Sequence, residues 1–245
     1  MLENLPSYIP VSFILTTVAS LILFYWVQTK SGIHKRLRNN IIGGISLWLI
    51  AHALLGMNGF YHLHTQDIPP RFLVIFGPII LVIVYLFNSK KGKAYLDSLD
   101  LEAMTWLSII RIPVEFVLYW LALSEVIPEL MTFAGRNFDI IGGITAPFVA
   151  YFGIQKGKMN RNLLLLWNFL GLGLLLFIIV NALLSAPFPF QQFAFDQPNI
   201  AILYFPFVWL PAFVAPAVLF CHLVSIRQLL YAKDEVKTSL QTAEA

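Results

Sequence analysis

The chain has 245 residues, of which 58% are hydrophobic and 12% charged, with a net charge of +3. A soluble domain carries about 25% charged residues, so soluble globular, disordered, fibrous and disulfide-built chains are excluded and an integral membrane protein is left. The small net charge gives no reason to expect nucleic acid as a partner, and the single cysteine, Cys221, rules out an internal disulfide.

A helix needs about 20 mostly apolar residues to cross roughly 30 Å of hydrocarbon. Seven stretches qualify, near 8–28, 41–58, 71–88, 103–123, 139–155, 162–183 and 199–226. The first follows Met1-Leu2-Glu3-Asn4, which lacks a basic n-region, and no Ala-x-Ala site follows it, so a retained helix is expected rather than a cleaved signal peptide. The second and fifth stretches are short. The fifth opens with Asp139, a candidate helix cap, and carries Gly142, Gly143, Pro147 and Gly153, which favour a bend. The last is long enough to tilt or to run on beyond the membrane. Runs such as Leu163-Leu164-Leu165-Leu166 do not alternate as barrel strands would. The expected fold is all-α, a polytopic bundle of seven transmembrane helices over residues 1–231, with a short polar tail at 232–245.

Orientation follows from Lys and Arg in the loops. Lys30, Lys35, Arg36, Arg38, Lys90, Lys91, Lys93, Lys156, Lys158, Arg161, Arg227, Lys233 and Lys237 all fall on one side. The other side has only Arg71 and Arg136, while Arg111 lies inside a stretch. The N-terminus is therefore expected outside and the tail in the cytoplasm, in a cell membrane of the bacterial inner-membrane kind.

A shift of about 128 residues produces a faint self-match. His52-Ala53-Leu54-Leu55 meets Asn181-Ala182-Leu183-Leu184, Pro70 and Pro78 meet Pro198 and Pro206, and Tyr25-Trp26 meets Tyr151-Phe152. This would pair stretches one to three with five to seven around a central fourth, a 3+1+3 arrangement of the kind used by transporters.

The fourth stretch holds the most specific feature. Arg111 and Glu115 lie near the bilayer centre, where each charge costs about 2.5–3.5 kcal/mol on insertion scales. Four residues apart on a helix they share a face and can pair. Ser108 and Tyr119 fall in the same sector, and Pro113 between the charges removes a backbone hydrogen bond. The expected ligand site is Arg111, Glu115, Tyr119 and Ser108, joined by His52, Asn168 and Asn181 from other helices. The bland alternative is interhelical glue.

On the outer side, His62, His64 and Asp67 are weak candidates for a divalent metal, and no metal or other cofactor is expected to be resident. Arg136 can pair with an acidic neighbour. Phe188, Phe190, Phe193 and Phe195 crowd one loop, as an interfacial belt or as a lid over a cavity.

Seven helices with the N-terminus outside resemble microbial rhodopsins, but residues 200–227 lack the lysine that retinal needs. The topology and the self-match also resemble the SWEET sugar transporters, with Pro78, Pro147, Pro206 and Asn181 as a loose echo of their repeat prolines and paired asparagines. No binding residue is carried over. Seven-helix metal hydrolases of the ceramidase and adiponectin-receptor type need an His-x-x-x-His pair, and only His222 is present in the last stretch. The segment Gly135-Arg136-Asn137-Phe138-Asp139 to Ala146-Pro147 resembles one from uncharacterised bacterial membrane proteins, which implies no activity. The leading expectation is a small-molecule transporter or ligand-binding membrane protein. A structural or sensory subunit of a membrane complex comes next, then a membrane-embedded metal-dependent enzyme. Expected partners are the lipid bilayer, a small molecule, and a second copy or a larger complex.

Overall fold

The computed structural model describes residues 2, 5–63 and 65–243, with side chains through residue 231. The chain is 72% helical, with no strand among the described residues. Five helices are long and apolar enough to cross a membrane: α1 (Tyr8–Lys30), α2 (Lys35–Met57), the composite Leu101–Leu123, α8 (Arg161–Leu184) and the segment Leu210–Tyr231. Helix α3 (Leu73–Asn88) turns through 91° into α4 (Lys90–Ser98), and this bent pair would make a sixth span. Helix α7 (Ile140–Phe148) passes into a π-helical turn, Val149–Gln155, and the two together fall short of full span length. The chain is thus all-helical, with five to six helices that qualify as membrane spans by length and composition.

Local chemistry explains where the helices differ from the pattern. The fourth expected helix is two, α5 (Leu101–Leu107) and α6 (Arg111–Leu123), joined by a 3-10 turn at Ser108–Ile110. Pro113 has no N–H to offer the carbonyl of Ile109, and its ring crowds that carbonyl, so the chain tightens there. The seventh stretch does not start as a helix at residue 199. Ile200–Trp209 makes turns and a 3-10 piece, then a π-helical Leu210–Val214 leads into α9 (Ala215–Ala243). Pro198 and Pro206 each remove a donor that a helix would need.

Side-chain caps fix several helix starts. Ser89 Oγ accepts from Gly92 N at the α3–α4 bend, Asp100 Oδ1 from Ala103 N, and Asn160 Oδ1 from Leu163 N. About half of the Leu101–Leu123 window and 61% of the Leu210–Tyr231 window are buried, against 17–33% for α1, α2 and α8. The α5–α6 helix and the last helix are therefore the middle of the bundle, and the others turn much of their surface to lipid. Met104, Leu107, Val117 and Leu121 pack with Phe13 of α1 and with Val214, Val218 and Val224 of the last helix in one apolar core.

The loops gather at two ends. At the cation-rich end Asp100 N donates to Ser31 Oγ, Tyr95 O–H to Gln28 Oε1, Gln228 to the carbonyls of Leu96 and Leu99, and Arg161 to the carbonyl of Leu229. Arg227 grips Asp97 with two bonds, at 2.9 and 3.0 Å. At the other end Gln197 donates to the carbonyls of Ala122 and Ile127, and Ile200 N to that of Val126.

Candidate functional site

Between the two ends, α6 places Arg111 and Glu115 inside the protein, at 2% and 1% exposure. The expected pairing of these two residues is not what forms. Arg111 Nη1 lies 3.2 Å from Asp139 Oδ1, and Asp139 is the residue just before α7. Asp139 was the expected cap of that helix, but its side chain accepts no bond from the helix N-terminus. A buried guanidinium gains more from a carboxylate that reaches it than the first turn of α7 gains from a cap. Glu115 instead accepts from Asn137 Nδ2 at 2.5 Å.

A segment that is irregular apart from a 3-10 turn at Glu129–Met131 makes this geometry. Residues 128–139 fold inward, with Met131, Thr132, Asn137 and Asp139 all buried. Buried irregular backbone must find its own hydrogen bonds. It does so through Arg136 N to Leu130 O and Asn137 N to Thr132 O, and through Asn137 Nδ2 to Met131 O. Asn137 Oδ1 accepts from Asp139 N at 3.0 Å, which holds the two polar side chains side by side. Among the described residues Arg136 pairs with no carboxylate, and it lies over the ring of Phe193.

The other side of Arg111 meets α8 and α9. Nη2 donates to the carbonyl of Gly171 at 3.1 Å and to His222 Nε2 at 2.7 Å. A guanidinium only donates, so His222 accepts at Nε2 and carries its proton at Nδ1. That proton goes to Asn168 Oδ1 at 2.9 Å, and Asn168 Nδ2 donates to the carbonyl of Leu164. Glycines make the room. A β-carbon at Gly142 would overlap Arg111 Nη1, and one at Gly171 would stand 2.7 Å from His222 Cε1.

The network is incomplete. Among the described residues Arg111 Nε and Glu115 Oε2 are buried with no hydrogen-bond partner, and the Arg111 Nη1–Asp139 Oδ1 contact is a charge contact without hydrogen-bond alignment. Arg111, Glu115, Asn137 and Asp139 form the polar end of a cavity of about 450 Å³. Its remaining walls are hydrocarbon, with Phe72, Phe76, Ile79 and Ile83 from α3, Leu175, Ile179 and Leu183 from α8, and Val214 and Val218 from the last helix. Phe188 and Phe190 of the Phe-rich loop also line it, whereas Phe195 is 70% exposed. The volume is that of a small-molecule site, and mostly apolar walls with a few convergent polar groups are the usual make-up of one.

Of the residues singled out from sequence, Arg111, Glu115 and Asn168 meet in one network, Asn168 through His222. Ser108 is buried beside it in the 3-10 turn. Tyr119 stacks on Phe133 at 5.0 Å. Asn181 donates to Phe177 O within its own helix. His52 lies elsewhere, bonded to Tyr61 O–H through Nδ1 and edge-on to Trp48. Asn137, Asp139 and His222 were missed as site residues. His222 carried a usable signal, an ionisable side chain in an apolar stretch. Asn137 and Asp139 carried none, because nothing local says that their loop folds inward.

Among the described residues no three His, Cys, Asp or Glu side chains come together as a metal site. His62 stacks on Tyr204 at 4.2 Å, Asp67 binds Arg71 at 3.0 Å, and His64 lies outside the described residues.

A family model described as Domain of unknown function (DUF8737) matches residues 68–230. No curated protein and no solved structure matches the chain. The matched segment holds every residue of the Arg111 network and leaves out α1 and α2, and since it spans more than half of the sequence, the chain belongs to the DUF8737 family.

Proposed function

We propose that this protein binds a small amphipathic molecule in the α3–α6–α8 cavity, as a transporter or ligand-binding membrane protein of a bacterial inner membrane. In this reading the bent α3–α4 pair and the short α7 complete seven spans, with the N-terminus outside and the cation-rich end in the cytoplasm. The α5–α6 helix packs against both α1 and α7, which suits a central helix between two three-helix units.

One observation carries the reading. Two buried polar atoms, Glu115 Oε2 and Arg111 Nε, belong to residues that line an otherwise apolar cavity, and neither has a partner among the described residues. An unmet buried polar group costs about 1–3 kcal/mol, more for a charged one. A head that donates to Glu115 Oε2 recovers that atom's share of the cost on binding, while Arg111 Nε, itself a donor, is served only by an acceptor such as a hydroxyl oxygen. One guanidinium and two carboxylates sum to a single negative charge when all are ionised, so a cationic or hydrogen-bond-donating head with an apolar body is the best match.

The test uses purified protein and three single-chain probes, decylamine, decanoic acid and decanol, read by thermal shift and calorimetry. Decylamine should bind best, and Glu115→Gln should weaken it about tenfold or more while the protein stays folded. Equal binding to wild type and Glu115→Gln would remove Glu115 from the site. The alternative of a structural subunit is favoured by the three protein contacts that Arg111 already makes. It predicts a stability loss for Arg111 variants with no effect of any probe.

A further inference from the structure

A second cavity, of about 680 Å³, lies on the other side of α3 among α2, α3, α4 and the last helix. Its deep end is closed by Trp48, whose indole N–H donates to Ala212 O at 3.0 Å. Its walls are almost wholly hydrocarbon. The polar groups come at the cation-rich end, where Asn40, Lys91 and the Tyr95 phenol line it.

Charge converges on that end from both sides. Helix α4 begins Lys90-Lys91-Gly92-Lys93, and α2 begins Lys35-Arg36-Leu37-Arg38, neither with an acidic residue in its first turn. Leu37 of that α2 turn lines the cavity opposite Lys91. Lys35, Arg36, Lys90, Lys91 and Lys93 are exposed, and among the described residues none is in an ion pair. Cations at a helix N-terminus sit at the positive end of the backbone dipole, which is the unfavourable end. Two such turns at the same end of one groove make that end attractive to an anion.

We propose that this groove is a binding site for an anionic phospholipid, with an acyl chain between α2 and α3 and the phosphate at the Lys91 end. A soluble phosphate would meet the same cations but would gain nothing from the apolar groove beneath. A zwitterionic lipid would fill the groove but leave the cations uncompensated. Basic pockets between transmembrane helices are a known mode of anionic headgroup recognition. The groove shares the wall residues Ile79, Ile83 and Pro216 with the Arg111 cavity but none of that cavity's polar residues.

The experiment is native mass spectrometry of the full chain taken from nanodiscs of phosphatidylglycerol, of phosphatidylcholine, or of phosphatidylcholine with soluble glycerophosphate. The expected result is one phosphatidylglycerol retained per chain, with neither of the other two retained. Gly44 lines the groove, and a β-carbon there meets open space, so Gly44→Leu fills the groove without a clash. Gly44→Leu and Lys91→Glu should each weaken phosphatidylglycerol retention by about tenfold or more, and Lys91→Gln, which keeps the stem, should weaken it too. Equal retention of both lipids, retention of glycerophosphate alone, or unchanged retention in Gly44→Leu and Lys91→Gln would overturn the proposal.

Discussion

Replacing Gly142 by Ala tests whether Arg111 lies where the structure puts it. In a helix interior Ala is about 1 kcal/mol more favourable than Gly, so propensity alone predicts a more stable protein. At Gly142 the added methyl would overlap Arg111 Nη1. Overpacking of this kind costs about 1–3 kcal/mol, and more if the displaced guanidinium loses Asp139 and stands unpaired. Gly173 is the matched control, a helical glycine with open space around its missing β-carbon. Gly173→Ala should be neutral or stabilising by up to about 1 kcal/mol. Gly142→Ala should be less stable than Gly173→Ala by about 1–3 kcal/mol, roughly a 5- to 150-fold difference in folding equilibrium. Equilibrium unfolding by denaturing detergent in mixed micelles, followed by circular dichroism, measures both. The double variant Gly142→Ala with Arg111→Met should be less destabilised than the sum of the two singles, because removing the guanidinium vacates the space. A Gly142→Ala protein as stable as Gly173→Ala would refute the placement of Arg111 and the network built on it.

Two further outcomes follow from the loops. His62 is stacked on Tyr204, and burial lowers its imidazole pKa below the usual 6.5. The folded state therefore holds His62 neutral where the unfolded chain already binds a proton, so this group subtracts stability as pH falls from 6.5 toward the lower folded-state value. Its NMR titration should have a midpoint below 6.5 that moves back up in Tyr204→Ala, and a midpoint at or above 6.5 in the intact protein would contradict the burial. Cys221 is 2% exposed, so it should stay silent to a membrane-impermeant thiol reagent. Lys93→Cys should then label only from the cytoplasmic side and Gln66→Cys only from outside; the opposite pattern would reverse the proposed topology, and labelling of both from one side would refute α3 as a span.

What could be read from the chain and what could not divides along range. Hydropathy located the apolar stretches well, because membrane insertion selects on composition that is local in sequence. The break at Ser108–Ile110 was legible as well, since a proline's missing donor acts on the carbonyl four residues before it. The start of the last helix was missed because residues 200–209 are as apolar as a span, and only the turn chemistry of Pro198 and Pro206 separates them from one. The charge partners were the least legible. Spacing four apart made Arg111 and Glu115 look like each other's partners, yet two side chains on one helix compete with every carboxylate that tertiary folding brings near. Asp139 prevails for Arg111 because the segment 128–139 folds inward, and that depends on backbone bonds such as Arg136 N to Leu130 O that leave no trace in composition.

Function is best sought where buried polar valence is left open. A purely structural ion pair would be served by closing every polar atom, since an unmet buried group costs stability for no return. Here the contacts to Asp139, Gly171, His222 and Asn137 fix the orientation of Arg111 and Glu115. The atoms left over, Arg111 Nε and Glu115 Oε2, belong to the two residues that also line the 450 Å³ cavity. In the proposed ligand-binding reading, positioned groups with unused valence beside an apolar void would be a preorganised site, in which the protein has met the cost of orientation before any ligand arrives. Narrowing the void by Leu175→Phe should weaken probe binding and leave the Arg111 contacts in place. If binding is unchanged in the narrowed cavity, the open atoms serve the fold rather than a ligand.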